Sequence, residues 1–134
     1  MPGGGTSLLR AQTAALKVAD ELSGDAAVGA RIIADALEAP MRRIAKNSGV
    51  NPSVVVNRAQ KLPEWHGWDA VNDEYVDMEE KGIIDPAAIE IACLQSATSV
   101  GMMTLTTEAI VCENRPIPVA AKPEEGFASE AGIY

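Results

Sequence analysis

Apolar residues recur at three- and four-residue steps along the first half of the chain, which is the spacing of one face of an α-helix. The first stripe follows Pro2 and three glycines, with Thr6 or Ser7 as the possible N-cap. It comprises Leu8, Leu9, Ala15, Leu16, Ala19 and Leu22. The second begins near Asp25 and comprises Val28, Ile32, Ile33, Ala36 and Leu37. The pattern predicts a helix for each stripe, with Gly49 as the C-terminal stop of the second helical region.

Prolines divide this helical region. Pro40 interrupts the second stripe, which resumes at Met41 and Ile44. Because proline removes a helical hydrogen bond and clashes with the preceding turn, we expect either a kink near Ala39 or two helices that meet there. Asn51 and Pro52 have the residue types of an N-cap and a first helical position. They predict a short helix that ends before Pro63.

The pattern changes between Pro63 and Lys81. This stretch lacks a helical stripe, contains Gly67, and alternates Trp68 and Ala70 with polar neighbours. Alternation with a period of two is typical of strands, so we predict a small hairpin or an irregular loop.

A long helix is predicted to follow, with Asp85 as its N-cap and Pro86 at its first position. One face is expected to be buried, and it carries Ile89, Ala92, Cys93, Ser96, Ala97, Val100 and Met103. The β-branched residues that come next predict an edge strand at Ala109 to Cys112. Residues 115–134 contain prolines without periodicity, which predicts an extended or disordered tail.

Composition limits the classes of protein. The 134 residues are 47% hydrophobic and only 4% aromatic, which favours one soluble, mainly α-helical domain with an aliphatic core. The net charge is −8: residues 1–63 carry eight basic and five acidic residues, and residues 64–134 carry three and fourteen. Nucleic-acid binding depends on clustered Lys and Arg, so this charge argues against such a partner. The acidic half is either a solvated surface or a specific electrostatic contact.

Cysteine and hydropathy patterns indicate the compartment. Cys93 and Cys112 do not form a close-spaced metal or redox motif, which fits a reducing environment. No uncharged run is expected to approach the roughly 20 residues that span a bilayer, and no charged leader precedes an apolar segment. We therefore expect a soluble protein with no membrane partner.

Candidate chemistry is sparse. Gly3, Gly4 and Gly5 precede a helix N-terminus, where amide N–H groups and the helix dipole attract anions, but neither a Walker motif nor a dinucleotide fingerprint follows. His66 has no partner nucleophile at a recognisable spacing. The acidic residues at 69–80 lack the spacing of a calcium loop and are expected to be a solvated face. We predict no metal site and no catalytic constellation.

Four stretches nevertheless resemble the C-terminal part of a group I chaperonin subunit, the GroEL type of bacteria, mitochondria and plastids. They read PGGGTSLLRA, ALEAPMRRIAKNSGVNPSVVV, GWDAVNDEYVDMEEKGIIDP and SATSVGMMTLTTEAIVCE, in the order and near the spacing of that family. The resemblance covers residues 3 to about 113. It implies that residues 1–114 are the C-terminal half of an equatorial domain, the helical domain that binds nucleotide and makes most ring contacts.

The resemblance also implies a site. By position, the backbone of Gly4 would approach the nucleotide, residues Asp69, Ala70, Val71 and Ile83 would line the adenine, and Asp85 would hold the ribose hydroxyls. Asp85 has an alternative role, because the same carboxylate could simply cap the helix. The implied cofactor is ATP or ADP with Mg in the complete subunit, with no tight binding expected for this chain alone.

The resemblance implies partners and leaves a question. The partners would be other subunits of a homo-oligomeric double ring, with a co-chaperonin and unfolded client proteins bound through other domains, in a bacterial cytoplasm, mitochondrial matrix or plastid stroma. The family's phosphate loop and catalytic Asp segments have no counterpart here, so these residues alone cannot form an ATPase. We expect either a fragment of a longer subunit or a truncated paralogue that is a non-catalytic helical interaction module.

Overall fold

The computed structural model describes residues 1–113, which form five helices and one two-stranded sheet. In chain order the elements are α1 (Thr6–Glu21), α2 (Asp25–Ala36), α3 (Ala39–Asn47), α4 (Pro52–Ala59), β1 (His66–Asp69), β2 (Glu74–Asp77) and α5 (Ala87–Thr106). The predicted mainly helical class with a small hairpin is confirmed. The tail predicted for residues 115–134 lies outside the described residues.

Turn-forming residues set the helix boundaries largely as predicted. Pro40 lies in the first turn of α3, so the interrupted stripe is two helices that meet. The side chain of Asn51 accepts a hydrogen bond from the Ser53 amide at 3.0 Å, and Pro52 begins α4. Gly49 adopts a φ of 78° between α3 and α4. The first helix differs slightly, because its N-cap is Gly5 and Thr6 is its first residue.

The hairpin is a regular antiparallel pair. Its register joins His66 with Asp77 and Asp69 with Glu74. Asp73 closes the turn with a φ of 56°, a left-handed conformation that Asp tolerates better than most side chains. The Asp73 carboxylate accepts a hydrogen bond from the indole nitrogen of Trp68 at 2.9 Å, which satisfies the polar atom of a buried aromatic side chain.

The core lies where α1, α3, α4 and β1 meet. Its buried members are Leu9, Met41, Ala45, Val55, Val56, Ala59 and Trp68, with Ile44, Val50, Ala70 and Tyr75 packed against them. Alanine at positions 45 and 59 allows the helices to approach closely, and Trp68 covers the cluster from the sheet. This packing fixes the hairpin against the first turns of α1.

Arg10 holds the connection between α4 and β1. Its guanidinium donates hydrogen bonds to the main-chain carbonyls of Ala59, Gln60, Pro63 and His66, at 2.9 to 3.2 Å. Carbonyls at the end of a helix lack intrahelical partners, so a cation there satisfies them and complements the helix dipole. One side chain thus orders a six-residue loop.

Helix α5 departs from three predictions. Pro86, not Asp85, is the N-cap residue, and no side chain caps the helix. None of its residues is buried, because within residues 1–113 no other element covers its apolar face. The edge strand predicted at Ala109 to Cys112 is absent, and residues 107–113 have no regular structure. A strand needs a partner strand, and the described part of this chain offers none there.

The length of α5 corrects a further expectation. Its 20 residues and mean hydropathy of 1.2 make it long and apolar enough to cross a membrane by length and composition alone. The expectation that no stretch reaches this length was therefore wrong. Core helices of large soluble proteins meet the same two criteria. The length and hydropathy of α5 therefore show only that it has an extensive apolar surface.

Candidate functional site

The glycine turn, residues 2–5, lies at the N-terminus of α1 and is bound to the segment that precedes α5. The amide of Gly3 donates to the carbonyl of Ile83 at 2.9 Å, and the amide of Asp85 donates to the carbonyl of Met1 at 3.0 Å. These two bonds form an isolated antiparallel bridge between Pro2 and Ile84. Residues far apart in sequence are thereby brought to one end of α1.

Gly4 is the accessible residue of this turn. It is half-buried with a φ of 65°, whereas Gly3 and Gly5 on either side are buried. A Cβ atom at Gly4 would lie 3.3 Å from Cε of Met78 and 3.7 Å from the carbonyl oxygen of Trp68. Gly4 therefore lies against Trp68, the residue that precedes Asp69 at the end of β1.

The turn leaves amide groups unpaired. Thr6 and Ser7 donate their amides to the carbonyls of Gly3 and Pro2, at 3.1 and 3.2 Å. Within residues 1–113, the amides of Gly4 and Gly5 have no backbone acceptor. Two free N–H groups at the positive end of a 16-residue helix are suited to a phosphate oxygen.

Asp69 is buried at the end of β1, with 5% of its surface exposed. Its Oδ2 accepts a hydrogen bond from the Asn72 side chain at 2.7 Å, and its Oδ1 accepts one from the Val71 amide at 2.9 Å. These bonds, with the Asn72 contribution largest, lower the pKa of Asp69 below its ordinary value. The carboxylate therefore stays charged and fixes the conformation of the hairpin turn.

Ile83 and Asp85 lie on the other side of the glycine turn. The amide of Ile83 donates to the carbonyl of Met78 at 2.8 Å, which anchors the segment to the hairpin. A Cβ atom at Gly3 would lie 3.1 Å from Oδ2 of Asp85, so the Asp85 carboxylate packs directly on the turn. A Cβ at position 3 would make a tighter contact than most Cβ atoms do, so either the carboxylate or the Ile83 carbonyl would have to shift by a few tenths of an ångström.

The structure thus places three of the six predicted residues, Gly4, Ile83 and Asp85, at the glycine turn, and Asp69 directly follows Trp68, whose carbonyl lies near Gly4. The other two differ in exposure. Ala70 is half-buried and packs against the core, whereas Val71 is 91% exposed at the hairpin turn. An exposed apolar side chain beside a polar turn can contact one face of a flat ring.

Sequence reasoning missed a contact next to this site. The hydroxyl of Ser7, in the first turn of α1, donates to both carboxylate oxygens of Glu90, at 2.5 and 2.6 Å. From the sequence, Ser7 is a candidate N-cap only, and Glu90 belongs to no recognisable motif. The two residues are 83 positions apart, and no local spacing indicates such a pair.

The remaining candidates form no second site. Nδ1 of His66 lies 4.0 Å from a carboxylate oxygen of Asp77, and it has no hydrogen-bond partner within residues 1–113. Among residues 1–113, no three His, Cys, Asp or Glu side chains are grouped so that they could hold a metal ion. Cys93 and Cys112 are free and exposed.

Comparisons with known proteins agree with the fold. A sequence profile of the TCP-1/cpn60 chaperonin family matches residues 1–115. The chain is similar to the open-state monomer of a group II chaperonin from Methanococcoides burtonii, with a TM-score of 0.74, 25% identity, and coverage of 80% of this chain and 28% of that one. It is also similar to a group III chaperonin in the open state, with a TM-score of 0.76, 26% identity, and coverage of 83% and 24%. The chain therefore spans about a quarter of the length of these structures.

Proposed function

Because the chain belongs to the TCP-1/cpn60 chaperonin family, we propose that it supplies half of a nucleotide pocket and the ring contacts of a chaperonin equatorial domain. The complete subunit would use ATP to drive the folding of other proteins. This chain alone would bind nucleotide weakly, because it contributes only one wall of the pocket.

One observation carries the proposal: the glycine turn combines the unpaired amides of Gly4 and Gly5 with the Asp85 carboxylate, which packs on Gly3. Amide donors and a helix N-terminus stabilise phosphate, whereas a carboxylate repels phosphate and accepts hydrogen bonds from hydroxyl groups. The two groups together match the two polar parts of a nucleotide. Ala70, Val71 and Ile83 would provide apolar contacts for the adenine, and Mg²⁺ would be held by residues outside this chain.

We assign the chain to group I on the four sequence blocks that resemble that group. The solved structures described above belong to groups II and III and share only 25% and 26% identity with it, so they support the family and the fold. A group I subunit would assemble into a double homo-oligomeric ring with a co-chaperonin and client proteins. Its location would be a bacterial cytoplasm, a mitochondrial matrix or a plastid stroma.

A second candidate function is a non-catalytic interaction module that assembles with itself or with complete subunits. The exposed apolar surface of α5 favours this alternative, since Ile89, Ile91, Val100, Met102 and Met103 are each more than half exposed. An exposed apolar surface of this kind marks a site where other protein packs. The two candidates differ in whether ATP binds.

The test is an NMR titration of the chain with millimolar ATP, a range in which weak binding is measurable. We expect amide shifts confined to residues 3–7, 69–71 and 83–85. Asp85→Asn should reduce the affinity, whereas Asp35→Asn, an exposed position in α2, should not. Absence of shifts at these residues, or equal affinity for Asp85→Asn and the unmodified chain, would reject the nucleotide pocket. A stable oligomer that shows no binding of ATP would instead support the interaction module.

A further inference from the structure

Ser7 and Glu90 form the one side-chain hydrogen bond that joins α5 to another helix in the described part of the chain. Ser7 is buried, with 5% of its surface exposed, and Glu90 is half-buried. Both carboxylate oxygens are within 2.6 Å of one hydroxyl, so the carboxylate is held against the first turn of α1 by both of its oxygens. A hydrogen bond to a charged group is stronger than one between neutral groups.

The rest of α5 has no comparable anchor. None of its residues is buried, and its other side-chain hydrogen bonds run from Thr hydroxyls to carbonyls of the same helix. Within residues 1–113, hydrogen bonds from other elements therefore hold α5 only at its start, through Glu90 and through the bridge between Pro2 and Ile84.

The position of Glu90 relates this anchor to the candidate site. The amides of Ile89 and Glu90 donate to the carbonyl of Pro86, so the first turn of α5 is rigid from Pro86 onward. Asp85 is the residue immediately before this turn. The Asp85 amide is itself held by the carbonyl of Met1, and fixing Glu90 against α1 adds a second restraint on the direction in which the chain leaves Asp85, and so on the carboxylate that packs on Gly3.

We propose that Ser7 and Glu90 are positioning residues for the nucleotide: they hold the first turn of α5 against α1, so that the Asp85 carboxylate faces the ribose hydroxyls. This inference rests on the proposed nucleotide pocket. Ser7 and Glu90 touch no part of the nucleotide themselves. They would affect how strongly the chain prefers a nucleotide with ribose hydroxyls over one without them, because this preference depends on the orientation of the Asp85 carboxylate.

The experiment compares the affinities of the chain for ATP and for 2′,3′-dideoxy-ATP, which lacks the ribose hydroxyls. We expect the unmodified chain to prefer ATP by about tenfold, the value of a hydrogen bond to a charged acceptor. Ser7→Ala and Glu90→Ala should each reduce this preference to about twofold or less. The double variant should equal the single ones, because either change removes the same bond. Glu90→Gln retains an acceptor for the Ser7 hydroxyl and should restore most of the preference.

Matched controls separate positioning from general loss of structure. Glu64→Ala and Ser96→Ala replace exposed residues of the same types that make no hydrogen bond through their side chains within residues 1–113. Both should retain the preference for ATP. A variant that is merely less stable would lose affinity for both nucleotides equally and leave their ratio unchanged.

The outcomes separate the proposed nucleotide pocket from the positioning role of Ser7 and Glu90. If the unmodified chain binds neither nucleotide, the proposed pocket is wrong and this inference is rejected with it. If it prefers ATP and the variants do so equally, only the positioning role is rejected. Tighter ATP binding by Glu90→Ala would also overturn it, because the carboxylate would then be repelling phosphate.

Discussion

The cluster around Met41 and the helix α5 are both rich in aliphatic residues, yet one is fully packed and the other is bare. Met41 and Val55 are at most 1% exposed, whereas Met103 and Leu105 in α5 are 59% and 82% exposed. Similar side chains therefore have opposite environments within one chain. Hydrophobicity alone does not bury a helix, because burial requires a neighbouring element with a matching face.

The bare helix has an energetic consequence. Burying one large aliphatic side chain stabilises a protein by about 1.5–3 kcal/mol relative to leaving it exposed. The exposed apolar residues of α5 thus represent a large stabilisation that is realised only when other protein covers them. The outer ends of α1 and α2 show the same feature on a smaller scale, with Val18, Val28 and Ile32 more than half exposed.

Hydrogen exchange should reveal the largest difference between the two regions. Amides in α3 and the inner part of α1 lie in the packed core, so they should exchange orders of magnitude more slowly than the amides of α5. The measurement is residue-resolved exchange monitored by NMR on the intact chain. Equal protection of α5 would mean that the helix is covered by a second copy or by another segment, and a repeat at high dilution would identify the first case.

Truncating matched methionines should sharpen the comparison. Met41→Ala creates a cavity at a fully buried site and should lower the free energy of unfolding by about 2–5 kcal/mol. Met103→Ala at an exposed site should change it by about 0.5 kcal/mol or less. Urea denaturation gives both values. A large loss for Met103→Ala would contradict the exposed environment of α5.

Paired glycine substitutions should change stability in opposite directions. A Cβ at Gly5 would lie 2.9 Å from the amide nitrogen of Met41, and Gly5 has a φ of 77°, so Gly5→Ala should destabilise by about 1–3 kcal/mol. Gly101 lies within α5 with no heavy atom near its missing Cβ, so Gly101→Ala should stabilise by about 0.5–1 kcal/mol. Thermal unfolding compares the two. Destabilisation by Gly101→Ala would show that α5 has a close neighbour.

The smallest effect should be the pH dependence of stability that Asp69, in the packed region, contributes. The pKa of Asp69 is lowered in the folded chain, so the carboxylate contributes stability above its ordinary pKa of 3.8 and this contribution is lost as the pH falls through the lower, folded value. Asp69→Asn should flatten the decline in stability below that ordinary pKa. Asp35→Asn, at an exposed position, is the control and should retain the decline. An identical pH profile for Asp69→Asn and the unmodified chain would contradict the assignment.

Local signals made the helix boundaries predictable. Gly49, Asn51 and Pro52 set the end of α3 and the start of α4 through interactions with residues only a few positions away. Such interactions can be recognised from the sequence alone. The hairpin was predictable for the same reason, through alternation and turn residues between Trp68 and Glu74.

Structural features that depend on contacts between distant residues were harder to predict from the sequence. The burial of α5 depends on protein beyond the residues that form it, and its apolar spacing cannot report whether that protein is present. Asp85 satisfied the local rule for an N-cap, but its backbone is held by Met1 and the helix begins later. The gathering of Gly4, Asp69, Ile83 and Asp85 was implied only by resemblance, since no local rule joins residues about 80 positions apart.

The bonds of Arg10 have an evolutionary consequence. The guanidinium contacts the carbonyls of the connection between α4 and β1, and every residue type presents the same carbonyl. We therefore expect the exposed side chains at positions 61 and 63 to 65 to vary among related chains while the path of the backbone persists. Arg10 itself has little such freedom, because lysine offers a single ammonium group in place of a planar fork. Selection on this loop should act almost entirely on a residue that lies outside it.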